Sequence, residues 1–201
     1  DRSTANQGDQ STANQGDWST ARQGDRSTAT TYGNTYIYRN TGTLSAIIMF
    51  YNNKMKIFEG GKDYKENETV LIKDMKIVKK YPCAPDNIKK LEEHEIFIFG
   101  SNLNGDHAGG AAKIAVDKCG AREGCGEGMT GQCYAFPTLD KDMQKQSIEA
   151  LKESVKKLYK AAGENTTKIF LLTKVGCGVA GFTEEEMKPL FAKAPANVVL
   201  P

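Results

Sequence analysis

The sequence lacks the patterns that mark membrane proteins and disulfide-rich proteins. None of its apolar runs approaches the roughly 20 residues needed to cross a bilayer, so we expect no membrane partner. Its five cysteines include no CxxC pair, which is typical of reduced thiols in a cytosol. A signal peptide is also missing, and we expect a cytoplasmic protein. Because the chain begins at Asp1 inside a repeat, we expect it to be a piece of a longer one.

The sequence also lacks a dominant charge of either sign. It has 27 basic and 25 acidic residues, for a net charge of +2 over 201 residues. This balance gives no reason to expect nucleic acid as the main partner. The length allows one or two domains with one substantial core.

Residues 1–33 form an octapeptide repeat. Copies of D-x-S-T-A-x-x-G open and close on regularly spaced residues: Asp1, Asp9, Asp17 and Asp25, and Gly8, Gly16, Gly24 and, one residue late, Gly33. A short period with glycine at the turns favours a β-solenoid or β-roll; the alternative is a low-complexity linker. Alanine is almost the only recurring apolar residue, so a roll would need oligomerisation or neighbouring coils to complete its core.

Residues 34–81 predict a small antiparallel β meander. Their β-rich segments are separated by turn signals at Asn52-Asn53 and Gly60-Gly61. Nothing in this segment has catalytic spacing, and we expect it to act as a connector. Pro82 and Pro85 then mark a boundary, because two prolines within four residues break both helix and strand.

Residues 86–201 alternate between strand and helix signals, which predicts an α/β domain with a mostly parallel sheet. Strands are expected at 95–99, 132–136, 168–173 and 197–200. Helices are expected at 110–119, at 142–162 with an amphipathic pattern, and from a capping box at Thr183 and Glu186 to about 192.

Two glycine-rich loops follow strands of this domain and lead into helices. Ligands bind at the carboxyl edge of open α/β sheets, and glycines let backbone N–H groups approach an anion. We therefore predict a site for a phosphate-bearing or nucleotide ligand. The candidate ligand-binding residues are Gly100, Ser101, Asn102, Asn104, Gly109 and Gly110 on the first loop, and Gly176, Cys177, Gly178, Val179, Ala180, Gly181 and Phe182 on the second.

The loops match neither of two familiar nucleotide motifs. The P-loop pattern GxxxxGK(S/T) is absent, and the first loop has no G-x-G-x-x-G followed by a ribose-binding acid on a second strand. Ordinary kinase and dehydrogenase functions are therefore excluded.

The two loops resemble those of a compact macro domain, the module that binds ADP-ribose and related nucleotides. The resemblance rests on Ser101-Asn102 followed by Gly109-Gly110-Ala111-Ala112, and on the segment 176–182, and it covers residues 95–201. The FGSNLxGxHxxGAA pattern is also similar to uncharacterised phage and bacterial proteins. The resemblance implies a three-layer macro-like fold, with Asn102 or Asn104 at the distal ribose and the backbone of 176–182 on the phosphates. The octads resemble repeats in the heads of trimeric bacterial adhesins and of some phage fibres.

Two residues of the first loop are candidates for catalysis. Asp106 or His107 would act as a general base that activates water for hydrolysis of an ADP-ribosyl bond. In the alternative, Asp106 caps the following helix and His107 lies on a solvated loop.

Other reactive side chains have simpler interpretations. Cys177 is either a thiolate nucleophile or a small residue that fits between two glycines. We expect no cofactor and no metal, because the spacing of Cys119, Cys125, Cys133 and His107 is irregular for zinc. Three polar residues of the second glycine-rich segment and its edge either line the mouth of the pocket or are solvated, and solvation is favoured: Glu123, Glu127 and Gln132.

Two functions of different classes follow. The first is binding of an ADP-ribose-type nucleotide by the two loops, with hydrolysis of an ADP-ribosyl bond as the reaction. The second is a structural or interaction protein, a phage or bacterial fibre-like or adhesin-like repeat that forms homo-oligomers and carries a non-catalytic α/β head.

Overall fold

The computed structural model of the chain describes residues 3–6, 12–15, 19–23, 28–32, 35–40, 45–86, 88 and 90–201. The aspartates that open the octads and the glycines that close them lie outside these residues. The described part has three β-sheets and three α-helices, which confirms a mixed α/β fold. It divides into two compact units. The first takes the described residues up to 83 with 165–167 and 195–199, and the second takes 84–164, 168–194 and 200–201.

The repeat contributes four short strands to the first unit. They are β1 (Ser3–Asn6), β2 (Thr12–Gln15), β3 (Ser19–Gln23) and β4 (Thr28–Tyr32). β1 pairs in parallel with β3, and β2 pairs in parallel with β4. Ser3 lies opposite Ser19 and Thr12 opposite Thr28, an offset of two octads. Successive octads therefore alternate between two sheets.

The following segment extends the same two sheets. Its strands are β5 (Thr35–Asn40), β6 (Ala46–Tyr51), β7 (Lys54–Glu59), β8 (Thr69–Lys73) and β9 (Lys76–Tyr81). β5 continues the parallel stack on β3 and then pairs antiparallel with β8, which pairs antiparallel with β9. β6 continues the stack on β4 and pairs antiparallel with β7. Asn52 and Asn53 form the β6–β7 turn with φ of 49° and 58°, a conformation that asparagine tolerates.

One core fills the first unit. It consists of buried residues from both sheets and from the loop before β8: Ala29, Tyr36, Tyr38, Ile47, Met49, Phe58, Tyr64, Val70 and Ile72. Along β6, Ile47 and Met49 are fully buried while their neighbours Ala46, Ile48 and Phe50 are half-buried. This alternation follows from the period of two along a strand. The unit also holds β14 (Val198–Val199), where the buried Arg39 donates a hydrogen bond of 2.6 Å to the Val198 carbonyl.

The second unit is built around the strand β10 (Glu95–Asn102). β10 pairs in parallel with β12 (Cys133–Leu139) on one side and with β13 (Ile169–Leu172) on the other. The short strand β11 (Gly128–Thr130) runs antiparallel to β12. β10 extends beyond the predicted end at 99, so Gly100 does not terminate it. Gly100 and Ser101 keep their pairing with β12, which is why the strand continues.

The helices of this unit connect the strands. α1 (Gly110–Ile114) continues as a π-helical turn, Ala115–Cys119. α2 (Ile148–Glu164) buries Leu151, Val155 and Leu158 on one face. α3 (Glu184–Met187) begins at the predicted capping box and continues as a 3-10 turn, Lys188–Phe191. None of the helices in the described part of the chain has the length and apolar character of a membrane span.

α2 begins later than predicted, at Ile148 rather than at 142. The carboxylate of Asp140 accepts hydrogen bonds from the backbone N–H groups of Asp142 and Gln144, and Met143 has a φ of 59°. These residues therefore form a turn. The Ser147 hydroxyl accepts a hydrogen bond from the Ala150 N–H at 3.1 Å, as an N-cap residue does.

Removal of the hydroxyl group should change stability in opposite directions at two buried tyrosines of the first unit. Tyr36 is fully buried and its hydroxyl has no hydrogen-bond partner among the described residues. Tyr64 donates to the Ser45 carbonyl at 3.1 Å. We expect Tyr36→Phe to leave stability unchanged or to raise it by about 1 kcal/mol, and Tyr64→Phe to lower it by about 1 kcal/mol. Urea denaturation of both variants checks this; a larger loss for Tyr36→Phe would contradict it.

Candidate ligand-binding site

The two predicted glycine loops lie side by side. They leave the carboxyl ends of β10 and β13, which are parallel neighbours. A Cβ atom on Gly100 would lie 3.6 Å from the Gly176 nitrogen and 3.7 Å from the Thr138 hydroxyl. The structure therefore brings both loops and the end of β12 to one edge of the sheet, where α/β proteins bind ligands.

Asn102 holds the first loop in its shape. Its Oδ1 accepts hydrogen bonds from the N–H groups of Asn104 and Asp106, both at 3.1 Å, and its Nδ2 donates to the Asp106 carbonyl at 2.9 Å. Asn104 donates from its own Nδ2 to the Lys141 carbonyl at 2.8 Å. The side chains of Asn102 and Asn104, which were predicted to bind ribose hydroxyls, thus form hydrogen bonds within the protein.

The segment 120–131 packs against the first loop as a third component, which was not among the predicted ligand-binding residues. A Cβ on Gly105 would lie 2.4 Å from the Cys125 nitrogen, and one on Gly126 would lie 2.4 Å from the Asn102 carbonyl oxygen. Gly124 also donates to the Gly105 carbonyl at 3.0 Å. The segment packs backbone against backbone on the first loop. The feature of the sequence that could have identified this segment as part of the site is its high density of glycines.

His107 is buried, contrary to the alternative that placed it on a solvated loop. It is 2% exposed, and its ring meets the Phe99 ring edge-on at 5.1 Å between centroids. Its backbone N–H donates to Glu123 Oε2 at 3.1 Å. Neither ring nitrogen has a hydrogen-bond partner among the described residues.

The other residues of the first loop lie at its surface or in its strand. Asp106 is exposed, and it does not cap α1, whose N-cap is Gly109 without a side-chain cap. Gly109 and Gly110 are exposed, and a Cβ on either would meet nothing within 4 Å. Ser101 is buried and donates to the Asn102 carbonyl at 3.1 Å.

The second loop is closed on itself and exposes its tip. Phe182 donates its N–H to the Gly176 carbonyl, and Gly181 donates to the Gly178 carbonyl, both at 3.0 Å. Ala180 and Phe182 are buried, whereas Val179 is 93% exposed. A Cβ on Gly178 would meet nothing within 4 Å. The backbone at the tip is therefore open to an approaching ligand.

Lys145 attaches the second loop to the end of β12. Its Nζ lies 3.3 Å from the Gly181 carbonyl, 3.3 Å from the Glu186 carboxylate and 4.0 Å from the centroid of the Phe182 ring. Nearby, Lys174 pairs with Glu184 at 2.8 Å. The hydrogen bond from Lys174 lowers the pKa of Glu184, and the backbone N–H of Thr183 lowers that of Glu186. Both carboxylates are thus stabilised as anions beside the loop.

Cys177 does not have the surroundings of a thiolate nucleophile. Partial burial raises the pKa of its thiol, and the Glu184 carboxylate raises it further. A raised pKa keeps the thiol protonated near neutral pH. The simpler interpretation, a small side chain between two glycines, fits this environment.

Three polar residues in or directly after the segment 120–131 have separate roles. Glu123 is exposed and accepts the His107 N–H. Glu127 forms an ion pair with Lys157. Gln132 donates to the carbonyls of Glu92 and Glu95 at the start of β10, which is the end opposite the glycine loops.

Cys119, Cys125 and Cys133 do not come together with His107 in a group that could hold a metal. Within the described residues, the group with metal-ligating atoms close together is Glu92, His94 and Glu95, whose atoms lie within 4.8 Å of one another. It stands at the amino end of β10, away from the loops. Burial raises the pKa of the Cys133 thiol to about 11, which disfavours the thiolate that zinc requires.

Comparisons of the chain with protein-family models, curated proteins and solved structures gave no match. The macro-domain resemblance therefore stays a prediction.

Two glycines of the site should differ in how much substitution by alanine lowers the stability of the protein. Gly105 has a φ of 77° and no room for a Cβ, whereas Gly178 has open space. We expect Gly105→Ala to lower stability by about 2 kcal/mol or more and Gly178→Ala to change it by less than about 0.5 kcal/mol. Thermal denaturation of both variants measures the difference, and equal effects would show that the backbone packing is wrong.

The environment of Cys177 predicts slow alkylation. Because its pKa is raised, its rate with iodoacetamide should still increase above the ordinary thiol pKa of about 8.5. Glu184→Gln should move this pH profile downward, since it removes a nearby negative charge. Peptide mapping by mass spectrometry gives the rate at Cys177 separately from the exposed Cys83. A midpoint below pH 8 would restore the nucleophile interpretation.

Proposed function

We propose that the second unit is a macro-like domain that binds an ADP-ribose-type nucleotide on its two glycine loops. The observation that carries this proposal is the approach of Gly100 to Gly176, with a Cβ on the first only 3.6 Å from the nitrogen of the second. A ligand with a sugar and a diphosphate could contact both loops at once. Adjacent loops at the carboxyl ends of parallel strands are the usual place for such a ligand.

The phosphates would lie on the second loop. Its exposed tip at Gly178 and Val179 carries no side chain that blocks the backbone at Gly178. Backbone N–H groups in glycine-rich turns bind anions without a cationic side chain. Lys145, at the base of this loop, is paired with Glu186, so the backbone N–H groups of the tip would hold the phosphates.

Hydrolysis of an ADP-ribosyl bond is the reaction we propose for this site. Asp106 is the exposed carboxylate of the first loop and would accept a proton from the attacking water. The water oxygen bonds to the ribosyl C1″, the bond from C1″ to the leaving group breaks with its electron pair going to the leaving group, and the leaving group takes a proton from solvent while Asp106 later releases its own to solvent. The buried Asn102 orders the loop that carries Asp106.

The repeat supports a second candidate of a different class. Its strands stack in parallel with an offset of two octads, as in a solenoid. A fibre-like or adhesin-like protein with a non-catalytic α/β head would use this stack for oligomerisation. This candidate requires no nucleotide at the loops, so titration of the chain with ADP-ribose separates the two.

Calorimetric titration of the whole chain with ADP-ribose tests the nucleotide proposal. We expect micromolar binding that Gly178→Glu weakens at least 10-fold, because the added carboxylate repels a diphosphate. Gly178→Gln is the matched control of similar size without the charge and should keep most of the affinity. The open space at this position allows both variants to fold. No heat with ADP-ribose, ADP or NAD would overturn the proposal.

A further inference from the structure

We propose that Glu92, His94 and Glu95 bind a divalent transition metal ion, such as zinc, at the amino end of β10. The ligating atoms of these three side chains lie within 4.8 Å of one another. The glycine loops lie at the opposite end of β10, so this inference does not depend on the proposed function. No metal was expected from the sequence, because the cysteine spacing is irregular for zinc, and this site uses no cysteine.

The kinds of donor atom in this group match zinc better than magnesium or calcium. An imidazole nitrogen and two carboxylate oxygens are all zinc ligands, at about 2.0–2.2 Å from the ion. Magnesium and calcium take oxygen ligands and leave an imidazole unused. The two carboxylates balance the charge of a divalent cation. His94 thus distinguishes the group from a simple cluster of carboxylates on a protein surface.

The ligating atoms need to move only a short distance to surround one ion. Two ligands on opposite sides of a zinc ion are about 4.2 Å apart, twice the metal–ligand distance, and the separations in the group are at most 4.8 Å. His94 Nε2 lies 3.7 Å from Glu92 Oε2. Because the Glu92 side chain is 54% exposed, rotation about its side-chain bonds can close the remaining gap.

An ion can reach the group from solvent. The side chains of His94 and Glu92 are 26% and 54% exposed, whereas Glu95 is 4% exposed. The buried carboxylate attracts a cation with less screening than a surface carboxylate does. The two exposed ligands leave one side open to water, which would complete the four ligands of a tetrahedral zinc ion.

The backbone that carries the three ligands is fixed by the neighbouring strands. Gln132, directly before β12, donates to the carbonyls of Glu92 and Glu95. Ile169 of β13 donates its N–H to the His94 carbonyl at 2.8 Å. Glu95 Oε2 accepts the Glu92 N–H at 2.9 Å, and its second oxygen can bind the ion while this bond is kept. Ligands on a fixed backbone lose less conformational entropy when an ion binds.

Calorimetric titration of the whole chain with zinc chloride tests the proposal. Cys83→Ser is used as the background, because the Cys83 thiol is exposed and could bind zinc by itself. We expect one ion per chain with a dissociation constant in the micromolar range. His94→Gln should weaken binding at least 10-fold, because it removes the nitrogen ligand.

Glu93→Gln is the matched control. Glu93 is an exposed carboxylate of the same turn and lies outside the group, so its loss should leave the affinity for zinc unchanged. Equal weakening by Glu93→Gln and His94→Gln would show a diffuse attraction of cations to acidic residues and would overturn the proposal. No weakening by either variant would overturn it too, as would a dissociation constant above about 1 mM.

A measurement on the unaltered chain identifies the ligand directly. The chain has two histidines, whose ring nitrogens give two sets of ¹⁵N resonances by NMR. Zinc should shift the set that is absent from His94→Gln and leave the other set, from the buried His107, in place. Magnesium in 100-fold excess should not reverse the shift, because it does not favour an imidazole ligand. Zinc binding that shifts neither set would assign the ion to thiols and overturn the proposal.

Discussion

The parallel pairing of β10 with β13 is the constraint on which the candidate site depends. Parallel neighbours end at the same edge of a sheet, so the loops that follow them must leave side by side. The pairing of Ile98 with Leu172 near the end of β13 places Gly100 beside Gly176. Two loops far apart in the sequence become one surface for this reason. The further pairing of β10 with β12 adds Thr138 to the same surface.

Glycine has two distinct uses at this surface. At Gly105 and Gly126 the backbones of two segments touch, and any side chain would collide with a main-chain atom. These glycines build the site. At Gly178 nothing occupies the space of a side chain, so glycine there is not required by packing. An open glycine at an exposed tip leaves the backbone accessible to a ligand, which is the feature that the nucleotide proposal uses.

The core of the first unit comes mostly from the strands that follow the alanine-rich repeat. An octad on its own offers little apolar surface to bury. In the sheets, however, Ala29 stands in register with Ile47, and Ala21 stands in register with Tyr38. Ala29 and Ile47 are both fully buried, so a larger side chain on β6 continues the core position that Ala29 holds on β4. Core volume that the repeat lacks comes from the segment directly after it, through pairing of neighbouring strands.

Signals that operate over a few residues were readable from the sequence alone. The Thr183 and Glu186 capping box formed as predicted, and so did the Asn52-Asn53 turn, because each depends on residues at most three positions apart. The tertiary structure decided the rest. Gly100 stayed in a strand because β12 pairs with it, and His107 is buried with its ring against Phe99 and its backbone N–H bonded to the distant Glu123. Such contacts depend on which segments the sheet brings together, and no local pattern encodes that.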